Sequence, residues 1–578
     1  MPHAALSALI LLGALILFVS EKVRHDLVAL AALFACLITG LTTPAKAFAG
    51  FADPAVIAVA AILVVGRAIE LSGIAAAIAR TAIPPKASFT IRLAALLVVA
   101  ALLSAFMNNI AALVITMPIA TEIARESKRP PGATLMPLAF ATILGGMTTL
   151  IGTPANLILS SVREDELGAP FGFFAMTPVG VSVAVVGLAY LAFAGWRLLP
   201  VRGAAEKRGK PPWRVFELSY EGQVPILVAA ARRALRAAKG RLLAVFRDGE
   251  RLALGDSNSI AAGDRLLILS RQTQWDAAEK AGLATHPVQA STAKGATARV
   301  VVAHGSFLIG LGHDAIENRS EGRLSVIAVG PNTARGKAML SHLQIHAGDQ
   351  LYLGGDSADL ARFVPKARLL EIDRLDRAPI KRGGAVATLG VFAIAVLAIV
   401  VGHIPPAVAF LAAAVFLAAS RLVPAEETYR SIDWSVIVLL AAMIPVGRSF
   451  EESGAAAIAA QIIGSALSGL PLIAVLGAIC AVALLLSIFL NNVATAIIMG
   501  PLAVDLARRL GVPPDAALLA VLIGVSADFL TPIGHQNNML VMGPGGYRFT
   551  DYGRMGALLV VLVILTSATV LTLLYGHR

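Results

Sequence analysis

Long apolar runs recur along the chain at 6–20, 27–41, 55–69, 94–106, 179–194, 385–401, 407–419, 436–446, 473–490 and 558–574. A complete helical membrane crossing needs about 20 such residues. Several runs are shorter than that and carry internal Gly, Pro or Asn, which predicts re-entrant or broken helices lining a protected cavity. Between about 203 and 380 the pattern changes to short alternating β-like runs separated by turns, with one basic helix-like run at 227–243. The pattern therefore predicts an α-helical polytopic membrane protein with an inserted α/β, strand-rich region in its middle.

The two apolar halves share words in the same order. Gly66-Arg67 followed by Glu70, Ser72 and Gly73 matches Gly447-Arg448 followed by Glu451, Ser453 and Gly454. Asn108-Asn109-Ile110-Ala111 matches Asn491-Asn492-Val493-Ala494, and Pro118 matches Pro501. A Thr-Pro follows in each half, at Thr153-Pro154 and Thr531-Pro532, and we align these two pairs. Each half reads as five crossings plus one re-entrant hairpin. An odd number of crossings inverts the second half relative to the first, the plan of many secondary transporters. Basic residues orient it: with the N-terminus outside, Lys22, Arg24, Arg80, Lys86, Arg125, Lys128, Arg129, Arg421, Arg430, Arg548 and Arg554 fall inside together with the insert, while Arg508 and Arg509 fall outside against the rule. This places the chain in a bacterial-type inner membrane as a multi-pass protein with a cytoplasmic insert.

The insert is itself duplicated. Ile260-Ala261-Ala262-Gly263-Asp264-Arg265-Leu266 recurs as Ile345-His346-Ala347-Gly348-Asp349-Gln350-Leu351, a Gly-Asp turn leading into an apolar strand each time. An earlier strand, at 242–246 before Arg247-Asp248-Gly249 or at 324–329 before Gly330, completes each unit. These units resemble the TrkA-C (RCK C-terminal) module of potassium-uptake regulators, which implies a small cytosolic effector. Gly310-Leu311-Gly312 lacks the third glycine of a dinucleotide fingerprint. The division is then 1–200 for half 1, 205–285 and 290–372 for the two modules, and 383–578 for half 2.

Composition agrees with lipid as the main solvent: 57% of the 578 residues are hydrophobic and mean hydropathy is +0.78. The net charge of +12 is local, since residues 201–382 hold 28 Lys and Arg against 18 Asp and Glu. No recognition helix or aromatic-interleaved basic stripe accompanies that excess, so nucleic acid is not expected. The first apolar run lacks a basic leader and ends in Ser20-Glu21-Lys22, so it is read as a mature helix. Cys36 and Cys480 each sit in an apolar run without ligand-spaced partners, which argues against transition metals.

The candidate chemistry lies in the hairpins and breaks. Residues 93–121 and 453–504 place paired asparagines mid-run, with Ser104 four residues before Asn108 and Ser487 four before Asn491. A buried amide without partners costs about 1–3 kcal/mol, so these tips need ligands. Hydroxyl and carbonyl oxygens suit Na⁺, and amide N–H groups with helix N-termini suit an anion. Gly152-Thr153-Pro154-Ala155-Asn156 and 531–538 break two further helices and supply a second wall. Asp528 marks an ion or proton path, or else a salt bridge to Arg67 or Arg448. His403 and His535 read as polar loop groups, and no Ser-His-Asp set or phosphate loop points to an enzyme.

With these residues in place, the chain resembles the divalent anion/sodium symporter family (SLC13, the sodium:sulfate and dicarboxylate symporters). That family carries Ser-Asn-Thr at both tips, the second followed by Ala-Thr-Ala; here Asn491-Asn492-Val493-Ala494-Thr495-Ala496 keeps the frame. The resemblance implies that Asn109, Asn492, Thr495, Thr153, Pro154, Asn156, Thr531 and Pro532 line the anion. It implies two Na⁺ sites, Ser104 with Asn108, Asn109 and Gly152, and Ser487 with Asn491, Asn492 and the Leu530 carbonyl. It further implies a homodimer and Na⁺ as coupling ion, with no organic cofactor. Both signature threonines are apolar here, as Ile110 and Val493, which favours sulfate over a dicarboxylate. The expected function is sodium-coupled symport of sulfate or a related small divalent oxyanion by alternating access. Alternatives are dicarboxylate symport, metalloid or cation-proton exchange, and a gated ion channel.

Overall fold

The computed structural model describes residues 3–576 apart from 21–23, 85–86, 201–213, 238–239, 248–249, 253–254, 256–257, 271–282, 284, 288–295, 304–305, 331–343 and 372–381. Lys22, Lys86, Asp248, Gly249 and the module bounds at 205, 290 and 372 lie outside the described residues. Half 1 contains α1 (His3–Ser20), α2 (His25–Ile38), α3 (Pro54–Leu71), α4 (Ile74–Thr81), α5 (Phe89–Phe106), α6 (Asn109–Glu126), α7 (Gly132–Gly146), α8 (Pro154–Leu167) and α9 (Thr177–Phe193). Half 2 contains α10 (Arg382–Val400), α11 (Pro406–Ala419), α12 (Trp434–Glu452), α13 (Ala455–Leu467), α14 (Leu472–Phe489), α15 (Asn492–Leu510), α16 (Pro514–Val525), α17 (Gln536–Gly545) and α18 (Phe549–Tyr575). Each helix of half 1 thus has a counterpart nine places later. Among the described residues, the segments 44–71, 89–106, 434–452 and 549–575 are long and apolar enough to cross a membrane, and most of the others are shorter apolar helices. That is the composition of a multi-pass membrane protein.

The halves pack reciprocally. Helix α2 lies on α12 and α11 on α3; α1 meets α12 and α10 meets α3; α8 lies on α15 and α17 on α6. The remaining long helices of this set, α9 and α18, pack on each other. Each contact has its repeat-related twin, as a two-fold relation between halves requires.

Charged pairs also bridge the halves, and they gather where α3 begins and α8, α12 and α15 end. Lys46 Nζ meets Glu452 at 2.9 Å, Arg163 Nε meets Asp515 at 2.8 Å, and Arg508 meets Glu166 at 2.9 Å. Arg448 lies 2.8 Å from Asp165 and 3.7 Å from Asp53. At the opposite end of α3, Arg67 pairs with Glu70 at 2.8 Å and with Glu427 at 2.9 Å. Both arginines offered as partners for Asp528 are therefore engaged elsewhere, and the salt-bridge expectation is corrected.

In the insert, β1 (Arg214–Tyr220), β2 (Arg241–Arg247), β3 (Arg265–Ser270), β4 (Ala296–Val302), β5 (Leu324–Val329), β6 (Gln350–Gly355) and β7 (Leu369–Glu371) form most of one sheet in the order β7-β4-β6-β5-β1-β3-β2. First strand beside last strand beside middle strand is the order of both copies. They join edge to edge, with Val215 opposite Val329. The Gly-Asp turns repeat atom for atom: Gly263 (φ +89°) and Gly348 (φ +83°) occupy the left-handed region that favours glycine. Asp264 Oδ2 accepts from Ala261 N at 2.8 Å, and Asp349 Oδ2 from His346 N at 2.9 Å. The expected helix-like run at 227–243 divides instead into a helix, Val228–Ala237, and strand β2. Leu242, Val245 and Leu266 pack into one apolar cluster and Ala244 and Phe246 into another, with a bulge between Leu242 and Ala244. The strand is thus buried on both faces and reads as a continuous apolar run that periodicity alone does not separate from helix.

The insert does not hang free. Val301 and Ala303 join the apolar core of the helical halves, and the Gly348 turn sits against α17. A methyl group added at Gly348 would lie 2.6 Å from the Met539 carbonyl oxygen.

Candidate functional site

The first hairpin turns at Met107, whose extended backbone (φ −142°, ψ 166°) ends α5. Asn108 then caps α6, its Oδ1 accepting from Ile110 N at 2.8 Å, which satisfies one of the free N–H groups of a helix start. Asn109, the next residue, is buried, and Ser104 Oγ donates to its Oδ1 at 2.6 Å. The end of α7 closes over this amide. A Cβ at Gly146 would stand 2.7 Å from Asn109 Oδ1 and 2.9 Å from the Thr153 methyl, so only glycine admits both. After the break at 147–153, Asn156 pins the loop: its Nδ2 donates to Gly146 O at 2.9 Å and Thr149 O at 2.8 Å, while its Oδ1 accepts from Thr153 Oγ1 at 2.9 Å.

The second hairpin repeats the design. Asn491 caps α15 by accepting from Ala494 N at 2.8 Å. Ser487 Oγ lies 3.2 Å from Asn492 Oδ1 and 2.8 Å from Val525 O. One hydroxyl hydrogen cannot serve both oxygens at once, so this corner is rich in acceptors. Asn538 Nδ2 donates to Asp528 O at 2.7 Å and Thr531 O at 3.1 Å. Those carbonyls stand ten and seven residues before it, the same spacing that links Asn156 to Gly146 and Thr149. The structural counterparts are therefore Asn156 and Asn538, Gly152 and Gly534, and Thr153 and His535, which stand in the same extended conformation immediately before α8 and α17. This corrects the alignment of the two Thr-Pro pairs. Thr531 answers to Thr149, and the repeated word is Thr149-Leu150-Ile151-Gly152 with Thr531-Pro532-Ile533-Gly534.

The segment 534–538 joins the two tips. Asn537 Nδ2 donates to Asn109 O at 3.0 Å and Thr142 Oγ1 at 2.8 Å, crossing from half 2 to half 1. His535 Nδ1 accepts from Asn537 N at 3.1 Å, which assigns the ring proton to Nε2. That Nε2 lies 3.4 Å from Asn109 Nδ2. With Asn109 Oδ1 already held by Ser104, two N–H donors face one another, an arrangement that an acceptor-only oxygen would complete.

A family model described as citrate transporter (CitMHS) matches residues 15–524 and 466–578. The chain belongs to the CitMHS family. Among its relatives in that setting, an uncharacterized transporter of Synechocystis is 29% identical, covering 99% of this chain and 97% of that protein. The uncharacterized transporter YfbS of Escherichia coli is 26% identical with 97% of both covered. The sodium/sulfate cotransporter 1 of Chlamydomonas reinhardtii is 28% identical over 53% of this chain and 34% of that protein. The crystal structure of the Alcanivorax borkumensis YdaH transporter covers 100% of this chain and 99% of its own, at 13% identity and a TM-score of 0.46, which is too distant to argue from.

In this CitMHS transporter the remaining predicted residues fall around the same breaks. Pro154 opens α8, and buried Pro532 and half-buried Leu530 lie in the second break. Thr531 Oγ1 accepts from Gly534 N at 3.2 Å. Thr495 is wholly buried one turn into α15, its hydroxyl without a partner. The amide of Asn156 is fully used within half 1, and so it holds the break's shape. Asp528 is 1% exposed. Sequence reasoning read His535 as a polar loop group, placed Asn537 and Asn538 only within the second break, and passed over Thr142 and Gly146. The repeat offset of 382 that links Asn156 to Asn538 lies between the offsets of 381 and 383 that relate the other repeated words, and it would have drawn out His535 and Asn538.

Proposed function

We propose that this transporter carries sulfate or a related small divalent oxyanion in symport with Na⁺, by alternating access between the two halves. The observation that supports it is the convergence of Asn109 Nδ2 and His535 Nε2 at 3.4 Å beside the N-termini of α6 and α17. Donors without acceptors suit an anion whose oxygens all accept. Ser104 and Asn109 with the Gly152 carbonyl, and Ser487 with Asn492 and the Leu530 carbonyl, offer hard oxygens to Na⁺ as co-transported cargo. Asn108 and Asn491 hold the tips by capping. Sodium/sulfate cotransporters among the relatives point the same way. Ile110 and Val493 at the tips withhold hydroxyls that a carboxylate would use.

On this reading the chain sits in a bacterial-type inner membrane as a homodimer, with half 2 inverted relative to half 1 and the insert cytoplasmic. Two TrkA-C-like modules would then bind a small cytosolic effector. The family description favours a second reading, citrate or another polycarboxylate as substrate. Purified protein in proteoliposomes decides between them. Radiolabelled sulfate uptake driven by an inward Na⁺ gradient and undiminished by excess citrate is the expected result. Na⁺-driven citrate uptake without sulfate uptake would give the second reading, and sulfate uptake driven by a pH gradient alone would remove sodium.

A further inference from the structure

The repeat alignment sets Asp528 opposite Gly146. In half 1 that position has no side chain, and a Cβ built there would point at Asn109 Oδ1, 2.7 Å away. In half 2 the same position carries a carboxylate, and the side chains of Ser487 and Asn492 lie alongside it. Neither reaches hydrogen-bond geometry with it: both carboxylate oxygens are buried without a partner. A Cβ at Gly534 would stand 3.3 Å from Asp528 Oδ1, so the carboxylate lies against the Thr531–Gly534 turn. Two more buried acceptors nearby in sequence, Ser526 Oγ and Asn538 Oδ1, also lack partners. None of the ion pairs among the described residues includes Asp528. An ionised carboxylate taken from water without a counter-charge is heavily penalised. Among the described residues, the surroundings supply oxygens and no cationic side chain paired with this carboxylate.

Resting on the Na⁺-symport reading, we propose that Asp528, with Ser487 and Asn492, is a direct ligand of a Na⁺ ion in half 2, so that the two repeat-related cation sites differ by one fixed negative charge. The half-1 site offers only neutral oxygens from Ser104, Asn109 and the glycine-lined break. The half-2 site neutralises its own cation. It therefore binds Na⁺ more tightly and fills first, and the half-1 site depends more on the anion for its charge balance.

Thermal melting of the purified full-length protein tests this without any transported anion. NaCl is titrated against choline chloride at constant ionic strength. The wild type is expected to melt higher as Na⁺ rises. Asp528→Asn should need at least about tenfold more Na⁺ for half of that gain, the scale of one charged ligand. Asp528→Glu should recover part of it, and Ser104→Ala should leave the tighter phase in place. Should Asp528→Asn not fold, Ser487→Ala carries the same comparison. An unshifted Na⁺ titration in Asp528→Asn, or in Ser487→Ala where that variant stands in, overturns the assignment. So does a wild type stabilised by acid and indifferent to Na⁺, for then the carboxylate holds a proton. A protein that takes up no sulfate yet shows the expected shift refutes the substrate reading and leaves the site standing.

Discussion

Two buried carboxamides, Asn156 and Asn538, each hold two backbone carbonyls across a helix break, and neither has any exposed surface. Replacing either by alanine strands both carbonyls at a largely buried break. The expected loss is roughly 1–3 kcal/mol, seen as a lower melting midpoint of the purified protein; an unchanged midpoint would show that the break is held by other means. Asn109 predicts differently. Its side chain meets Ser104 and faces His535, and Asn109→Ala should abolish anion uptake while the protein stays folded and in the membrane. Ser104→Ala should raise the Na⁺ concentration for half-maximal uptake, and an unchanged Na⁺ dependence would remove that hydroxyl from the site. The tip residues are legible in the sequence because two adjacent amides in an uncharged apolar run are costly unless polar groups meet them. His535 is not, since a histidine in a polar loop usually serves only the loop. The Thr-Pro pair presents itself as the repeated word, although backbone geometry aligns Thr153 with His535.

At the scale of elements, the hairpins and breaks follow from local chemistry. Proline at the start of α8 and asparagine caps at α6 and α15 fix where helices begin. The apolar runs place α1, α2, α3, α9, α10, α11 and α14 within about three residues at each end. The end of α16 is harder, because the segment before the Thr531 break reads as continuous to Phe529 while the helix stops at Val525. The bonds that Asn538 makes to Asp528 O and Thr531 O lie outside any local window, and they hold the chain in its break. Gly146 shows how tightly the broken element meets the hairpin. Gly146→Ala should displace either the Asn109 amide or the Thr153 methyl and raise the Na⁺ requirement for uptake about tenfold, equivalent to about 1.4 kcal/mol. Uptake assays across a Na⁺ series check this, with helical content by circular dichroism as the folding control.

Across the whole molecule, duplication explains most of what can be read from sequence, in the halves and again in the insert. Docking between the insert and the helices cannot be read there, because it rests on a glycine meeting a carbonyl between residues 191 positions apart in sequence, Gly348 and Met539. The docked helix, α17, begins at the His535 cap, so the insert touches the element that carries the site. Gly348→Val forces a branched side chain into the left-handed region and against Met539 O, and should alter the rate of uptake while leaving competition among anions unchanged. Deleting 205–378 and bridging the gap with a flexible linker should likewise keep selectivity and lose effector control; altered selectivity in a folded variant would make the insert part of the site. The charged pairs between halves carry one more consequence. Individually, exposed pairs contribute about 0–1 kcal/mol, but those of Lys46, Arg163, Arg448 and Arg508 share one end of the helices, and parting the halves there separates all of them together. Mobile ions shorten the reach of such attractions to about 10 Å at 0.1 M. An inert electrolyte such as choline chloride should therefore act as a lubricant, hastening exposure of that end even though choline is neither carried nor bound.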